Sequence, residues 1–456
     1  MIRRILIANR GEIATRIIRT CRQLGIETVL SASEADLDSV PARLADQVIC
    51  IGPPAAGKSY LNIPALIAAA DTTGADAIHP GYGFLAENRK FASACEETGL
   101  IFIGPTEDQL DSVGDKLKAR HNAVAAGLPV VPGAEIESAQ EGLRQAEEIG
   151  YPILIKAVGG GGGRGLKQVT DPEQLAETMT LAMAEAEAAF SDSRVYLERY
   201  VAAGRHVEVQ ILGDGSDVIH LGTRDCSIQR RYQKLVEEAP APDLPEEIRS
   251  AMHESAAAFG RHLEYRGLGT VEFLYDRLRK EYYFLEMNAR IQVEHPVTEA
   301  ITGLDLVREQ IAVAEGRPLG IRQEDIVFNG HAVECRINAE DVGNNFHPSP
   351  GRISTARFPV GSGIRVDTHI EPGVMVPPFY DSLIAKIITS ATDRDEAIKR
   401  MVTALENCVI EGVETNLSMH RAIMQNDEFR TGGVTTAFFS HSFINTNPGN
   451  EKQGQD

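Results

Sequence analysis

Two carboxylate side chains occupy matching positions on two strands that the sequence predicts. Residues 270–275 and 281–288 alternate apolar and polar side chains across a short turn, which predicts an antiparallel hairpin. In that hairpin Glu272 lies diagonally opposite Glu286, and Asn288 is in phase with Glu286. Because two carboxylates on one face repel each other, we expect a cation between them, and oxygen ligands suit Mg²⁺ or Mn²⁺. A solvated sheet face is the alternative. The same face is expected to hold two apolar side chains, Leu274 and Phe284.

Directly after this hairpin, a cation, an amide and a carboxylate follow at two-residue intervals. Arg290, Gln292 and Glu294 are expected to share one side of an extended segment that Pro296 ends. Together they offer charge pairing, a hydrogen-bond donor and a base, which a small planar oxyanion requires. The sequence therefore predicts an oxyanion site beside the metal site. Three independent surface residues are the alternative.

A run of five glycines at residues 159–163 follows an apolar strand predicted at 153–155. Backbone N–H groups of residues without Cβ converge easily on an anion, and Lys156, Arg164 and Lys167 flank the run. We predict a mobile phosphate-binding lid, with a flexible linker as the alternative. The run also contains a G-x-G-x-x-G pattern. It does not indicate a nicotinamide site, because the extended segment that follows supplies no helix N-terminus.

Residues 52–59 match the Walker A phosphate-binding pattern letter for letter. Two prolines in this stretch, however, remove backbone N–H groups that such a loop uses to hold phosphate. The next helix is expected to begin near Asn62, because Pro64 belongs in a first turn. That start is too late for Lys58 to open the helix. We interpret the stretch as a plain connection.

The formal net charge of −20 argues against nucleic acid as a partner. An anionic substrate must then be attracted by a local basic cluster. The run 224–234 contains three arginines and Lys234, and it is predicted to be that cluster. RNA or an acidic protein would be the alternative partner. The acidic pair Glu237 and Glu238 that follows disfavours both.

Cysteine spacing and hydropathy indicate the compartment. The six cysteines lie far apart without a C-x-x-C pair, which argues against a zinc site or a disulfide framework and fits a reducing cytoplasm. No apolar run approaches the length of a membrane span, and the N-terminus has too short an apolar core for a signal peptide. We expect a cytoplasmic protein without membrane contact.

The elements that must position these residues form more than one unit, because 456 residues exceed a single core. Strand and helix alternate over the first part of the chain, which predicts an α/β fold with a doubly wound parallel sheet. A helix there is expected to end at Gly25. The predicted divisions are an N-terminal α/β domain at 1–105, a linker with a short helix at 106–130, a Gly-rich lid at 131–200, a C-terminal mixed α+β domain at 201–446 and a disordered tail at 447–456.

Seven stretches together resemble the biotin carboxylase family. They are IANRGEIA at 7–14, HPGYGFLAEN at 79–88, the GGGGGRG loop at 159–165, RDCSIQRR at 224–231, VEEAPAP at 236–242, EMNARIQVEHPVTE at 286–299 and GHAVECRINAED at 330–341. The resemblance runs from about residue 2 to 445. It implies an ATP-grasp fold and an ATP-dependent ligase.

The resemblance implies a nucleotide site. Lys116 and Lys156 would hold the phosphates of ATP, with the glycine loop closing over them. Two divalent ions, Mg²⁺ or Mn²⁺, would be bound by Glu272, Glu286 and Asn288. The other residues implied at this site are Gly161, Gly162, Gly163, Glu198, Arg199, Val201, His206, Gln229, Tyr232 and Leu274.

The resemblance also implies a bicarbonate site. Arg290, Gln292 and the amide of Val293 would hold bicarbonate, and Glu294 would deprotonate it. Lys234 would stabilise the carboxyphosphate that forms.

For the second half of the reaction, the resemblance implies that Arg336 stabilises the enolate of biotin, with Tyr82 and Gly83 near the ureido ring. The chain contains no A-M-K-M sequence, so the biotin carboxyl carrier protein and the carboxyltransferase are expected to be separate polypeptides. A homodimer is expected from the resemblance. Acetyl-CoA is the default final acceptor, while propionyl-CoA, pyruvate and others remain open.

Two positions depart from the family pattern. Tyr232 stands where the family commonly has a histidine that hydrogen-bonds the ribose, and Thr223 replaces a frequent glutamate. A tyrosine can still donate, but with a different reach. These changes put the affinity for ATP in question rather than the bicarbonate chemistry.

Two rival functions follow from the same residues. Another ATP-grasp ligase, such as a carbamoyl-phosphate or purine-type carboxylase, would cleave ATP in response to ammonia or an amine and ignore biotin. A non-catalytic nucleotide-binding regulator would bind ATP without turnover. The full set of metal and base residues disfavours the regulator.

Overall fold

The structure is a computed structural model, and it describes residues 1–136, 138–158, 166–190 and 192–439. The predicted phosphate-loop residues Gly161, Gly162 and Gly163, and the tail predicted at 447–456, lie outside the described residues.

The first part of the chain forms the predicted doubly wound parallel sheet. Its five strands are all paired in parallel, in the spatial order Gln47–Cys50, Glu27–Ala32, Arg4–Ile7, Ala77–His79 and Ile101–Phe102. The helices around this sheet are Gly11–Leu24, Val40–Leu44, Ile63–Thr73 and Arg89–Glu97. The first of them ends at Gly25 as predicted, because Gly25 adopts a left-handed φ of 70°.

The predicted start of the third helix is confirmed. Asn62 caps the helix Ile63–Thr73 by accepting a hydrogen bond from the Ala65 amide, and a proline occupies the first turn. Lys58 lies before it, in a single 3₁₀ turn, Ala56–Lys58. The Walker-like stretch therefore does not open the helix that follows it.

The segment that follows, predicted as a linker with one short helix, contains two helices, Glu107–Gly114 and Lys116–Ala125. The second begins after its cap Asp115, and Lys116 is the first helical position. This placement anchors Lys116 on a regular element and not on a flexible connection.

A small antiparallel sheet comes next, with the strand order Gly133–Ile136, Val195–Arg199, Ile153–Ala157 and Leu166–Val169. The helices Ala139–Ile149 and Leu175–Phe190 pack on it, the second after a 3₁₀ turn, Pro172–Gln174. Apolar side chains such as Ile155, Leu197 and Met179 form a separate core for this unit.

An eight-stranded antiparallel sheet forms the centre of the molecule. Its order is Glu281–Asn288, Arg266–Asp276, Gly204–Asp214, Val218–Arg230, Gln233–Ala239, His331–Asn338, Leu383–Ala391 and Ile364–Thr368. The associated helices are Glu246–His262, His295–Thr302, Leu306–Ala314, Arg394–Glu406, Leu417–Gln425 and Asp427–Thr431. Shorter elements are the strands Glu340–Asp341, His347–Pro348, Gly351–Arg352, Thr355–Arg357, Met375–Val376 and Val409–Glu411, and the 3₁₀ turns Glu34–Asp36, Gln323–Asp325 and Val342–Asn344.

The predicted hairpin is present, but its predicted register is wrong. Glu272 pairs directly with Glu286, and the next pair is Phe273 with Phe284, so Leu285 is an extra residue. This β-bulge shifts the phase of the second strand by one residue. Phe284 therefore pairs with Phe273, which alternates to the sheet face opposite Glu272 and Leu274. It packs in the core against Phe259, with ring centroids 5.1 Å apart.

No helix among the described residues combines the length and the hydropathy that a membrane crossing requires.

Candidate active site

A cavity of about 1300 Å³ lies between the N-terminal sheet, the small antiparallel sheet and the central sheet. All predicted site residues that the structure describes line it. They are Tyr82, Gly83, Lys116, Lys156, Glu198, Arg199, Val201, His206, Gln229, Tyr232, Lys234, Glu272, Leu274, Glu286, Asn288, Arg290, Gln292, Val293, Glu294 and Arg336. The fold thus brings residues from distant parts of the sequence into one place.

The ammonium group of Lys234, which lines the cavity, contacts three carboxylates. Its Nζ donates to Glu208 Oε2 at 2.6 Å, Glu294 Oε1 at 2.7 Å and Glu272 Oε1 at 2.8 Å. Burial alone would lower the pKa of Lys234, but the three carboxylates outweigh it and raise that pKa well above its usual value. Lys234 is therefore a fixed positive charge.

The two hairpin carboxylates differ in their surroundings. Glu272 is buried, and it accepts hydrogen bonds from Asn288 at 2.8 Å and Gln292 at 3.1 Å besides the contact with Lys234. Burial raises the pKa of Glu272, but Lys234 and His206 together bring it well below its usual value. Burial and the neighbouring Glu272 raise the pKa of Glu286, which the bulge turns into the cavity.

This donor set fits a divalent ion. Two carboxylates directly opposite each other, with an amide oxygen two residues on, are hard oxygen ligands. The repulsion that raises the pKa of Glu286 is what a cation between the pair would relieve.

The loop after the hairpin differs from the predicted extended segment. The helix His295–Thr302 begins directly after Glu294, and Pro296 lies in its first turn instead of ending a strand. Arg290, Gln292 and Glu294 nevertheless line the same cavity. The turn that begins the helix, and not strand alternation, brings the Glu294 carboxylate in.

Each of these three side chains already has protein partners. Arg290 donates to Glu87 at 2.9 Å and to Asn288 at 2.8 Å. Gln292 accepts from Arg224 at 2.6 Å. Glu294 lies between Lys234 and Arg336. Burial raises the pKa of Glu294, but Lys234, and then Arg336, lower it to about 2.

Arg336 connects this cluster to the strand His331–Asn338. One guanidinium nitrogen donates to Glu294 Oε2 at 2.9 Å, and Nε lies 2.6 Å from Glu237 Oε1. Nearby, the Tyr82 hydroxyl donates to Glu12, whose Oε1 lies 3.1 Å from Lys386 Nζ. Tyr82 and Arg336 therefore line the cavity from distant parts of the sequence.

The opposite end of the cavity is more apolar. Val201 and Leu274 pack with Tyr283 and Val131. Arg199 donates to the Tyr283 hydroxyl at 2.5 Å. This end has the character of a pocket for a planar, largely apolar group.

Lys116, Lys156 and His206 also line the cavity. Lys156 forms an ion pair with Glu198, and burial lowers the pKa of Lys116 despite the opposing effect of Glu286. His206 lies 3.1 Å from Glu272 Oε2; burial lowers its pKa, but Glu272 reverses this and raises it to about 9. Tyr232 is 61% exposed at the cavity rim, with a left-handed φ of 66°.

The prediction of a dense basic patch at 224–234 is wrong for its first residue. Arg224 is fully buried, and it donates to Glu208, Gln210, Thr270, Thr298 and Gln292. Strand alternation places it under the site instead of on the surface. Thr223 faces away, toward the Ala241 amide at 3.1 Å.

Four partners of the site were not predicted from the sequence: Glu208, Glu12, Lys386 and Glu87. Glu208 had a local signal, because it is in phase with His206 on one strand and pairs across to Glu272. Glu12, Glu87 and Lys386 come from separate elements, and no local pattern links them to the site.

Models of known protein families match three consecutive segments of the chain. The family model described as "Biotin carboxylase, N-terminal domain" matches residues 1–110, and "Carbamoyl-phosphate synthase L chain, ATP binding domain" matches residues 115–322. "Biotin carboxylase C-terminal domain" matches residues 334–441. Biotin carboxylase 1 of Bacillus subtilis is 52% identical over 441 residues, which cover 96% of this chain and 98% of that one. The chain belongs to the biotin carboxylase family.

The similar proteins include biotin carboxylase units of different carboxylases. One subunit of the pyruvate carboxylase of Methanothermobacter thermautotrophicus is 48% identical over 96% of this chain and 89% of its own. The biotin carboxylase domain dimer of Hydrogenobacter thermophilus 2-oxoglutarate carboxylase, solved with MgADP, ADP and bicarbonate, is 44% identical. It superposes with a TM-score of 0.92 over the full length of both chains. The predicted family, the ATP-grasp fold class and the assignment as an ATP-dependent ligase are thereby confirmed.

Proposed function

We propose that this biotin carboxylase uses ATP and bicarbonate to carboxylate N1 of biotin on a biotin carboxyl carrier protein, through carboxyphosphate, as the first half-reaction of acetyl-CoA carboxylase. The observation that carries the proposal is the position of Lys234. One ammonium group contacts both Glu294, the base, and Glu272, the metal ligand. Bicarbonate and the phosphates of ATP therefore react close to the same ammonium group, that of Lys234.

Bicarbonate binds at Arg290, Gln292 and the Val293 amide, where charge pairing and hydrogen bonds match a planar oxyanion. Glu294 accepts the proton as a bicarbonate oxygen attacks the γ-phosphorus of ATP. With a pKa near 2 beside Lys234 and Arg336, Glu294 is a weak base until one of these cations turns to the substrate. Binding of the anionic substrates draws those cations away and so makes Glu294 more basic.

ATP lies along the cavity from its apolar end to the metal ligands. Glu198, Arg199, Val201 and Leu274 surround the adenine, while His206, Gln229 and Tyr232 contact the rest of the nucleotide. Lys116 and Lys156 hold the phosphates. Gly161, Gly162 and Gly163, which lie outside the described residues, belong to the proposed phosphate-binding loop. Glu272, Glu286 and Asn288 would hold two Mg²⁺ or Mn²⁺ ions, which supply charge neutralisation for the phosphates when bound.

Carboxyl transfer uses the other wall of the cavity. Arg336 stabilises the enolate of biotin, and Tyr82 and Gly83 position the ureido ring. Lys234 stabilises the carboxyphosphate before it breaks down to CO₂ and phosphate. This phosphate takes the N1 proton of biotin, and N1 then attacks CO₂. Positioning and charge neutralisation account for most of the rate enhancement.

A single assay tests this function. Phosphate release from ATP is measured with and without bicarbonate and with and without free biotin. The proposal expects release that requires bicarbonate, and carboxybiotin when biotin is present. Release stimulated by ammonia or an amine instead would indicate another ATP-grasp ligase, and ATP binding without turnover would indicate a regulator.

The final acceptor, the partners and the cellular context are further parts of the proposal. The enzyme works with carboxyltransferase subunits, forms a homodimer, and acts in the cytoplasm in fatty acid synthesis. Pyruvate and 2-oxoglutarate carboxylases among the relatives make these acids the second candidates. Co-purification from the native source, followed by transfer assays with acetyl-CoA, propionyl-CoA, pyruvate and 2-oxoglutarate, separates them.

A further inference from the structure

Two buried glutamates behind Arg336 take no part in the proposed chemistry. Glu237 lies on the strand Gln233–Ala239 and Glu334 on the strand His331–Asn338, and the two residues are directly opposite each other. Both side chains are fully buried. Directly opposite residues in an antiparallel pair have Cβ atoms about 5 Å apart, so the two carboxyl groups are within reach of one another.

The charges around this pair do not balance if every carboxyl group is ionised. Lys234 is shared by Glu208, Glu272 and Glu294. His206 lies 3.5 Å from Glu208 and 3.1 Å from Glu272, and Arg224 pairs with Glu208. Lys386 pairs with Glu12, and Arg336 with Glu294 and Glu237. Among the described residues, Glu334 has neither an ion-pair partner nor a hydrogen-bond partner. A buried carboxylate without a partner is so costly that the group takes up a proton instead.

The groups that face the pair reinforce this conclusion. Lys386 and Arg336 are its nearest cations, and Glu294, Glu208 and Lys234 lie beyond Glu237. The neighbouring thiols of Cys226 and Cys335 are neutral, because burial raises the pKa of both thiols. Burial, against the opposing effect of Arg336, also raises the pKa of Glu237 to about 7, and burial raises that of Glu334 well above its usual value.

We propose that Glu237 and Glu334 hold one proton between them and act as the positioning pair for Arg336 in carboxyl transfer. The proposal rests on the function proposed above. The guanidinium group of Arg336 is shared between Glu294 in the cavity and Glu237 behind it. With one proton on the pair, a single negative charge holds Arg336 from behind. Loss of that proton adds a second negative charge, which draws Arg336 away from the substrate.

The consequence is confined to one half-reaction. Cleavage of ATP in the presence of bicarbonate depends on Glu294, Lys234 and the metal ligands, whereas transfer to biotin depends on Arg336. Deprotonation of the pair at alkaline pH therefore lowers carboxybiotin formed per ATP cleaved. Glu334→Gln keeps the single-charge form at every pH, and Glu237→Gln removes the carboxylate that contacts Arg336.

The experiment measures carboxybiotin formation and ATP cleavage on the same preparations from mildly acidic to alkaline pH, at fixed bicarbonate and saturating free biotin. For Glu334→Gln we expect near wild-type carboxybiotin per ATP at mildly acidic pH and a ratio about threefold above wild type at alkaline pH. For Glu237→Gln we expect a loss of about tenfold or more in carboxybiotin at all pH values, with ATP cleavage within a few-fold of wild type.

Glu238→Gln is the matched control. Glu238 is the next residue on the same strand, points to the opposite side and pairs with Arg394 at 2.7 Å. Its replacement should lower the melting temperature without changing how carboxybiotin per ATP depends on pH. The same pH dependence in Glu334→Gln and wild type, or a parallel loss of both activities in Glu237→Gln, would overturn the positioning role.

A measurement on the wild-type protein covers the case in which a variant does not fold. Infrared spectroscopy should detect the C=O stretch of a buried protonated carboxyl group at neutral pH, with loss of intensity at alkaline pH. Absence of this band at neutral pH would contradict the shared proton. A wild-type enzyme without bicarbonate-dependent ATP cleavage would instead overturn the proposed function and this inference with it.

Discussion

At the scale of single residues, the site is held by cations that are shared between carboxylates. Glu294 contacts Lys234 and Arg336 at once, and this explains the low pKa of its carboxyl group. Such a carboxylate is fully ionised at neutral pH but a poor proton acceptor until a neighbouring cation moves. In this geometry Glu294, the proposed base, therefore does not take up a proton before a neighbouring cation moves.

Replacement of Glu294 by glutamine tests its role as the base. The variant keeps the shape of the side chain and can still hydrogen-bond, so ATP should bind with near-normal affinity. Bicarbonate-dependent ATP cleavage should fall by about 10²-fold or more, the usual contribution of a positioned base. Calorimetry gives the affinity, and phosphate release at saturating bicarbonate gives the rate. Turnover within about threefold of wild type would remove Glu294 from this role.

At the scale of elements, alternation along strands predicted much of the site. It placed Glu272 and Glu286 on one hairpin. It also predicted that Arg290, Gln292 and Glu294 lie close together, but the turn before the helix His295–Thr302, and not alternation, brings Glu294 into the cavity. It did not predict the bulge at Leu285, because an extra residue leaves no mark in composition. The partners of the site from distant elements were beyond prediction for a different reason. Their position depends on how the domains pack, and single-strand periodicity contains no such information.

The Walker-like loop provides a test at this scale. Lys58→Ala should leave ATP turnover within a few-fold of wild type, since no helix begins at that lysine. Lys156→Ala should weaken nucleotide binding by about tenfold or more, because a hydrogen bond to a charged group contributes about 1.5–3 kcal/mol. Nucleotide titration of both folded variants makes the comparison. Greater damage from Lys58→Ala would refute the assignment of the phosphate site.

A stacked pair of histidines predicts how stability depends on pH. His220 and His253 have ring centroids 4.1 Å apart, and burial lowers their pKa values to about 4 and about 3. Because the unfolded chain takes up protons near pH 6.5 and the folded chain does not, stability is lost as the pH falls below that value. His253→Phe should reduce this loss. Replacement of the exposed His262 on the same helix serves as the control and should leave it unchanged.

The measurement is denaturant unfolding of both variants and wild type between neutral and mildly acidic pH. An unchanged acid dependence in His253→Phe would mean that protonation of this pair does not contribute to acid unfolding.

At the scale of the whole molecule, buried ion pairs connect the N-terminal sheet to the rest. Arg16 on the helix Gly11–Leu24 donates to Glu299 at 2.7 Å and to Asp305 at 2.8 Å, and its side chain is 4% exposed. Arg43 also reaches across, to Glu371, but both of these side chains are about half exposed. Both contacts connect the N-terminal part of the chain to later parts. The Arg16 contacts lie in a buried environment of low dielectric constant, whereas the Arg43 contact is open to water.

This difference predicts unequal costs. Arg16→Met should destabilise the protein by about 3 kcal/mol, because it leaves buried carboxylates with less compensation. Arg43→Met should cost less than about 1 kcal/mol, as is usual for an exposed pair. Denaturant unfolding of both variants gives the two free energies. Equal costs would mean that Arg16 contributes little more than a surface contact.

Because of the bulge at Leu285, the hairpin that carries Glu272 and Glu286 should respond differently to a deletion and to an insertion. Glu272 pairs with Glu286 and Phe273 pairs with Phe284, so Leu285 between them is a surplus residue on this strand. Deleting Leu285 leaves every other cross-strand pair as it is, whereas an insertion beside Glu286 puts that carboxylate out of step with its partner. In evolution or in design, this hairpin should therefore accept the loss of a residue where it would not accept a gain.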